Sequence, residues 1–365
     1  MPPDNTLTLS DFDYDLPPEQ IAQTPIEPRD ASRLLVVPRA GGPLEHRQFE
    51  DIGDYLRAGD VLVLNQTRVI PARLQAHKVP GGGAVELLLL RQQDPTTWLA
   101  LVGGKRVLPG TQLSVQRGGA DPLAAEVIDA REGAQRVVRF AEPLDAQLEE
   151  LGEVPLPPYI HEPLGDPGRY QTIYARHDGS AAAPTAGLHF TGDLLLALHE
   201  RGIEFAYCTL HIGLDTFQPV REENLSEHRM HSEWASLQAR DAQIINEAKL
   251  AGRRVIAVGT TVVRTLESAA ILSAGGDPAS GELLPDGLCP WRPVMAFEQE
   301  TRLFIRPGYR FRVVDGLVTN FHLPRSTLLM LVSAFMGREH TLDAYAAARD
   351  AGYRFYSFGD AMLIL

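Results

Sequence analysis

The pattern of hydrophobic and polar positions changes character between residues 59 and 140. Short runs of apolar and β-branched residues are separated there by turns rich in Gly and Pro. Many short strands at this spacing are typical of a small antiparallel barrel or sandwich. The predicted strands are residues 61–64, 69–74, 85–90, 98–102, 112–115, 124–128 and 136–140. We therefore predict an inserted β-barrel domain over residues 59–140.

Outside this insert, helical and extended patterns alternate along the chain. This alternation predicts a parallel or mixed sheet with flanking helices. We assign residues 1–58 and 141–365 to this α/β main domain, with residues 273–293 as a long surface loop. Strands are predicted at residues 203–212, 254–258, 301–305, 311–319 and 353–356. Helices are predicted at residues 144–151, 193–201, 239–251, from the end of strand 254–258 to 272, from 326 or 327 onward, and at 343–351.

The composition is that of a globular chain large enough for two cores, with 365 residues, 44% of them hydrophobic and 22% charged. No apolar run approaches the roughly 18 residues that a membrane span needs. The amino terminus lacks the apolar core of a signal peptide. Two cysteines, Cys208 and Cys289, form no CxxC pair, which argues against a disulfide framework or a cysteine zinc site. We expect a cytoplasmic protein without a membrane anchor.

The formal net charge of −13 argues against a general nucleic-acid coat protein. A local basic face remains open, because residues 292–338 contain seven arginines and no lysine, against Glu298, Glu300 and Asp315. The guanidinium fork matches phosphate oxygens. The alternative is a solvated strand face that carries arginines at alternate positions.

Three histidines each lie between two apolar residues: His189, His211 and His322. An imidazole among apolar neighbours tends to stay neutral near pH 7, where it can take or give a proton. Two of the three adjoin turn sequences, since Pro184 precedes His189 and Pro324 follows His322. They are candidate catalytic residues, and packed core histidines are the alternative.

Two segments have the composition of small-molecule contacts. Strand 254–258 leads into Gly259, Thr260 and Thr261 and a helix that contains Arg264, a candidate cradle for an anion or carboxylate or else an ordinary helix cap. Neither GxGxxG nor a Walker lysine occurs. In the second segment, residues 170–190, small residues surround polar ones, which lets the backbone approach a ligand closely. Core packing of these side chains is the alternative. The candidate ligand contacts are Tyr170, Tyr174, Thr185, Gly187 and Phe190.

A metal site is not predicted. His228 and His231 lie three residues apart, but HEXXH spacing is absent and no third ligand is near in the sequence. Residues 65–68 form a polar cluster at the entry to the insert. Clefts often form at such domain junctions, so the cluster is a candidate part of a binding site. The alternative is a hydrogen-bonded turn with a structural role.

Seven motifs stand out along the chain: VLNQTRVIPARL (63–74), APTAGLHFT (183–191), TLHIG (209–213), MHSE (230–233), AVGTT (257–261), VDGLVTNFHLP (314–324) and YSFGDAMLI (356–364). Together they resemble the S-adenosylmethionine:tRNA ribosyltransferase-isomerase family of queuosine biosynthesis. The likeness runs from about Asp11 to the carboxyl terminus. Three positions depart from the family pattern: Gln66, Asp215 and Gln218, where Asp, Gly and Arg are usual.

The resemblance implies transfer and isomerisation of the ribosyl group of S-adenosylmethionine onto the aminomethyl-deazaguanine base at the wobble position of tRNA. Epoxyqueuosine forms, and adenine and methionine leave. S-adenosylmethionine is then a co-substrate, with no prosthetic group. The sulfonium acidifies the adjacent ribose methylene, so a neutral base can remove its proton, and an acid can assist the departure of adenine. His189, His211 and His322 are the candidates for base and acid.

The remaining roles follow from the same resemblance. The turn from Gly259 to Thr261 and Arg264 are expected to hold the methionine carboxylate, and Tyr170, Tyr174 or Phe190 to face the sulfonium or adenine. The protein is expected to be a monomer or weak oligomer. Three other activities remain as alternatives: an S-adenosylmethionine-dependent tRNA methyltransferase, an RNA-binding module without catalysis, and a metal hydrolase. The residues expected to contact tRNA phosphates are Arg68, Arg73, Arg306, Arg310 and Arg325.

Overall fold

The computed structural model describes residues 7–117, 121–144, 147–213, 222–225, 228, 230–279 and 291–365. This part of the chain forms eighteen strands and six α-helices. The strands are β1 (Arg33–Val37), β2 (Glu45–Gln48), β3 (Val61–Asn65), β4 (Thr67–Val69), β5 (Arg73–Val79), β6 (Ala84–Asp94), β7 (Thr97–Gly103), β8 (Gln112–Val115), β9 (Leu123–Ala130), β10 (Gln135–Phe140), β11 (Gly152–Glu153), β12 (His177–Ser180), β13 (Glu204–Leu210), β14 (Glu233–Leu237), β15 (Val255–Val258), β16 (Phe297–Thr301), β17 (Gly316–Asn320) and β18 (Ala361–Ile364). The helices are α1 (Leu148–Leu151), α2 (Gly192–Glu200), α3 (Ala239–Leu250), α4 (Thr260–Ser273), α5 (Thr327–Met336) and α6 (Arg338–Asp350).

The main domain is built on a nine-stranded mixed sheet of order β16-β14-β13-β3-β15-β17-β18-β1-β2. Its central strands β13, β3, β15 and β17 run parallel. Every residue of β3, β15 and β17 is buried, as expected of parallel strands covered on both faces. The carboxyl ends of the four parallel strands therefore meet at one edge of the sheet.

Helices and irregular segments cover both faces of this sheet. The apolar residues of α3, α4, α5 and α6 form one core against it. A smaller core on the other face includes Phe49, Phe190, Leu194 and Leu198, from two 3-10 segments and α2. The predicted α/β main domain with a mixed sheet and flanking helices is confirmed.

The insert is a closed antiparallel barrel of six strands. They follow the order β5-β6-β7-β10-β9-β8, and pairing of β5 with β8 closes the barrel, while β11 adds to β5. Buried and exposed positions alternate along β9, as they do when one face of a strand lines a core. The predicted antiparallel barrel is confirmed.

Sheet membership corrects one predicted barrel strand. The predicted strand 61–64 is β3, which lies at the centre of the large sheet. The predicted strand 69–74 divides into β4, which pairs with β12, and β5, which enters the barrel. The division of the chain at residues 59 and 140 stays our proposal, and these pairings favour an entry point near Arg73.

Three strand predictions in the last third of the chain were wrong in position. The strand predicted at 301–305 is β16, which ends at Thr301, and the one predicted at 311–319 begins only at Gly316. The amides of residues 312–314 bond to the Glu267 carboxylate and not to a neighbouring strand. The terminal strand is β18, because Tyr356 adopts a positive φ of 72° that interrupts an extended run after residue 355.

Other elements differ in extent or were not predicted. The helix predicted at 343–351 begins at Arg338, and the one predicted at 144–151 is the single turn α1. Strands β1, β2 and β14 were not predicted. The predicted loop 273–293 lies partly outside the described residues. No described helix is long and apolar enough to span a membrane.

Candidate functional site

A cleft of about 870 Å³ opens at the carboxyl edge of the large sheet. Open α/β sheets bind ligands at this edge, where the parallel strands end. Here β15 and β17 end in the cleft wall, and β14 begins there because it runs antiparallel to β13. The segment before β18 completes the wall with Tyr356 and Ser357.

Helix α4 points its amino terminus into the cleft. Gly259 joins β15 to α4 with a φ of 94°, a conformation that favours glycine, and donates its amide to the Val318 carbonyl at 2.8 Å. Thr260 and Thr261, the first helical residues, line the cleft. Their amides belong to the first turn, which has no intrahelical acceptors. Thr185 and Arg264 line the cleft too, so five predicted ligand contacts meet here.

A buried ion pair forms one polar end of the cleft. The Arg264 guanidinium bonds through Nη1 to the Glu233 carboxylate, and both side chains are 5% exposed or less. The Arg264 Nε donates to the Leu303 carbonyl at 3.2 Å, whereas its Nη2 has no partner among the described residues. Glu233 also accepts from the Gly213 amide at 3.2 Å. A buried guanidinium with a spare N–H suits a carboxylate ligand.

His322 lies in the cleft wall beside Thr319, whose Oγ1 is 2.7 Å from the His322 Nε2. Two tyrosines fix its main chain: the Tyr14 hydroxyl donates to the His322 carbonyl, and the His322 amide donates to the Tyr345 hydroxyl at 3.0 Å. Burial lowers the pKa of His322 to about 3. The imidazole is therefore neutral at physiological pH, as a general base requires.

His189 lies behind the cleft wall and does not line it. Its Nδ1 is 2.7 Å from the Ser32 hydroxyl, and its Nε2 is 3.2 Å from the Asn320 Nδ2. The ring stacks on Phe49 at 4.9 Å between centroids. Burial, followed by the charges of two arginines, lowers the pKa of His189 to about 3. Both ring nitrogens are engaged, which argues against direct proton transfer by this residue.

His211 directly follows β13 and does not line the cleft. Its ring stacks on Trp234 at 4.9 Å, and its Nδ1 is 2.8 Å from the Thr67 hydroxyl. Burial, with a smaller contribution from His177, lowers the pKa of His211 to about 4. The structure thus brings one of the three predicted histidines, His322, directly to the cleft.

Four other predicted contacts also lie away from the cleft: Tyr170, Tyr174, Gly187 and Phe190. Tyr170 is buried against Phe358 at 5.8 Å, and Phe190 is buried against Phe49 at 5.0 Å. Gly187 leaves room for the hydroxyl of Tyr174, because a Cβ at this position would lie 2.1 Å from that oxygen. Aromatic and small residues are common both near ligands and in cores. In this structure these residues pack in the core, which was the alternative interpretation.

The sequence prediction did not assign roles to several cleft residues. Glu233 and Asn320 lie within motifs that carried the family resemblance, and the signal was their closeness to His231 and His322. Tyr356 and Ser357 begin the last of these motifs, whereas Tyr159 lines the cleft from a segment whose local pattern gave no sign of it. The Tyr159 hydroxyl and the Ser357 hydroxyl lie 2.7 Å apart.

The predicted tRNA-contacting arginines lie in different parts of the fold. The Arg325 guanidinium pairs with Asp13 at 2.6 Å. Arg68 on β4 and Arg73 on β5 each have a carboxylate 3.7 to 3.9 Å away. Arg306 and Arg310 belong to the segment between β16 and β17, whose end Glu267 fixes.

The described residues show neither a metal site nor a catalytic position for Gln66, the one departure from the family pattern that they include. Among the described residues, no group of three His, Cys, Asp or Glu side chains could hold a metal ion. Gln66 is buried between β3 and β4, where its main-chain N–H donates to the Cys208 carbonyl at 2.9 Å. Asp215, Gln218 and Cys289 lie outside the described residues.

Comparisons with known proteins agree along nearly the whole chain. A family model described as "Queuosine biosynthesis protein" matches residues 9–364. A Moorella thermoacetica protein named S-adenosylmethionine:tRNA ribosyltransferase-isomerase is 54% identical over 98% of this chain and 100% of its own length. The protein of the same name from Thermus thermophilus is 52% identical over 98% of this chain and 99% of its own.

A solved structure gives the same result. The crystal structure of an S-adenosylmethionine tRNA ribosyltransferase from Thermotoga maritima matches with 37% identity and a TM-score of 0.54, covering 98% of this chain and 100% of that one. The family model and the full-length relatives together establish that this chain belongs to the queuosine biosynthesis family.

Proposed function

We propose that this protein is an S-adenosylmethionine:tRNA ribosyltransferase-isomerase. It transfers and isomerises the ribosyl group onto the aminomethyl-deazaguanine base at the tRNA wobble position, forms epoxyqueuosine and releases adenine and methionine. The observation that carries this proposal is that two groups line the same cleft. One is the buried guanidinium of Arg264, which has a spare N–H, and the other is the neutral imidazole of His322. The names of full-length relatives support it.

The cleft suits a long ligand with one charged end. Glu233 begins β14, and Asn320 ends β17, which is the fourth strand from β14 in the sheet. At the usual spacing between neighbouring strands, β14 and β17 are about 19 Å apart. The Arg264 Nη2 and the first amides of α4 are suited to the methionine carboxylate. The ribosyl and adenine groups then lie toward His322, beside apolar residues such as Phe321 and Leu323.

His322 is our candidate base for the first step. It takes a proton from the ribose methylene next to sulfur, and the carbanion that remains is stabilised by the sulfonium. Adenine later leaves with the electrons of its glycosidic bond and takes a proton from an acid. We assign His189 and His211 no proton transfer in this proposal, because they do not line the cleft.

The main test is product analysis. The protein is mixed with S-adenosylmethionine and tRNA that carries the aminomethyl-deazaguanine base. We expect adenine and methionine in equal amounts, without added metal or nucleotide. S-adenosylhomocysteine would instead indicate a methyltransferase, and tRNA binding without turnover of S-adenosylmethionine would indicate an RNA-binding module.

We also propose that Arg306 and Arg310 contact tRNA phosphates. Each phosphate contact that is lost should make the log-log salt dependence of tRNA affinity shallower by about 0.7 to 0.9. The test is tRNA titration of wild type and the R306A/R310A variant at several salt concentrations, with R131A on the barrel as a matched control. Affinity for S-adenosylmethionine should not change. Superimposable salt slopes would assign both arginines to a solvated face.

A further inference from the structure

Asn320 presents two chemically different ends in the cleft wall. The residue is 2% exposed and ends β17. Its Nδ2 donates to the Tyr356 carbonyl at 3.1 Å and lies 3.2 Å from the His189 Nε2. Its Oδ1 has no partner among the described residues. A buried acceptor without a donor is costly, so this oxygen is suited to a hydrogen-bond donor that a ligand supplies.

The orientation of the carboxamide is fixed by its neighbours. The Tyr356 carbonyl can only accept, so it must face the nitrogen of Asn320 and not the oxygen. Tyr356 itself has a φ of 72°, a strained conformation for a non-glycine residue. Such strain concentrates at functional sites, where surrounding contacts maintain it.

His189 adds the second constraint on Asn320. To accept from the Asn320 Nδ2, the His189 Nε2 must be unprotonated, and the proton of the neutral ring then lies on Nδ1, which donates to the Ser32 hydroxyl. Ser32 is fully buried. Burial lowers the pKa of His189 to about 3, which keeps the ring in this neutral state. A protonated ring would set two donors against each other and favour rotation of the amide.

We propose that the Oδ1 of Asn320 accepts a hydrogen bond from a hydroxyl or amino group of the substrate nucleoside, and that His189 is the positioning residue that keeps this oxygen turned toward the cleft. The inference rests on the proposed function and extends it. Asn320 and His322 share one wall, four strands from the Arg264 and Glu233 pair, so the nucleoside end of S-adenosylmethionine lies at Asn320 and its amino-acid end at Arg264.

The first test compares ligands in binding titrations without tRNA. The probes are S-adenosylmethionine and analogues that lack the ribose 2′-hydroxyl, the ribose 3′-hydroxyl or the hydrogens of the exocyclic amine. We expect wild type to bind one analogue about tenfold to a hundredfold more weakly than the parent compound. In N320A this difference should disappear, because the acceptor is gone. The affected analogue identifies the donor.

The second test separates positioning from proton transfer at His189. In H189Q the side-chain oxygen can accept from Asn320 as Nε2 does, so KM for S-adenosylmethionine and kcat should stay within about threefold of wild type. H189L has no acceptor and should raise KM about tenfold with a smaller change in kcat, the pattern of a lost binding contact. H199Q, on the exposed face of α2, is the matched control, and thermal unfolding of each variant checks the fold.

The outcomes distinguish this inference from the proposed function. If each analogue loses the same affinity relative to S-adenosylmethionine in wild type and in N320A, the role of Asn320 is overturned. The proposed function stands in that case, provided that S-adenosylmethionine binds and adenine is released. A fall in kcat of about 10²-fold or more in H189Q, with KM unchanged, would identify proton transfer by His189 and overturn its positioning role. Wild-type protein that binds no S-adenosylmethionine would overturn the proposed function and this inference together.

Discussion

The barrel and the carboxyl edge of the large sheet bury different kinds of side chain. In the described residues of β5 to β10, Thr97 is the one polar side chain that is buried, and the remainder of that core is apolar. The edge buries polar and charged groups at strand ends and on α4, among them Asn65, Glu233, Arg264 and Asn320. Burying a polar group without full pairing costs free energy. The barrel therefore has the composition of a structural unit, and the edge has that of a binding site.

The largest expected effect concerns His322 at the edge. If the neutral imidazole of His322 is the base, H322Q should lower turnover by about 10²- to 10⁴-fold, because Gln cannot take the proton. Adenine release under saturating substrates measures the change, and thermal unfolding checks the fold. H199Q serves as the surface control. Turnover near that of wild type would remove His322 from the chemistry and leave the edge as a binding site only.

The ion pair should show the cost of polar burial directly. R264M leaves the Glu233 carboxylate buried without its partner, and we expect a loss of about 3 to 5 kcal/mol in the free energy of unfolding. The double variant R264M/E233L removes both charges and should recover most of that loss. Urea unfolding measures both. If the single and double variants are equally stable, the unpaired Glu233 carboxylate adds no cost of its own, and polar burial at this edge is cheaper than expected.

The barrel should lose stability without loss of binding. Leu87 is fully buried in the barrel core, so L87A should cost about 2 to 5 kcal/mol through lost burial and the cavity that remains. L108A, at a position that is 61% exposed, is the control and should cost little. Affinity for S-adenosylmethionine should not change in either variant. Weaker binding by folded L87A would show that the barrel shapes the cleft.

The two regions also differ in how far the sequence predicts them. The barrel follows from local signals, since alternating apolar residues and Gly- or Pro-rich turns define its strands. The strand at residues 61–64 was assigned to the wrong sheet, because β3 is as apolar as a barrel strand and only its partners β13 and β15 place it in the large sheet. A strand pattern gives the element and not its neighbours.

At the edge, the sequence predicted the turn at Gly259 and three candidate histidines, but not which of the three lines the cleft. His189, His211 and His322 have the same apolar flanks, and their roles diverge through contacts across the fold. Ser32 and Asn320 enclose His189, whereas His322 remains at the cleft surface. Such partners lie more than a hundred residues away in sequence. No local pattern carries that information.

The smallest expected effect is a dependence of stability on pH that originates at His189. Its pKa is about 3 in the folded protein and about 6.5 in the unfolded chain, so the unfolded chain binds the extra proton as pH falls. The stability is present above about pH 6.5 and is lost progressively as pH falls toward 3. Between pH 7 and pH 5 this histidine should account for about 2 kcal/mol. Urea unfolding of wild type and H189Q at both pH values measures it, because Gln does not titrate and other groups cancel in the difference. H199Q should follow wild type. Parallel curves for wild type and H189Q would show that the imidazole gains a proton without cost, and that the edge is more hydrated than the barrel core.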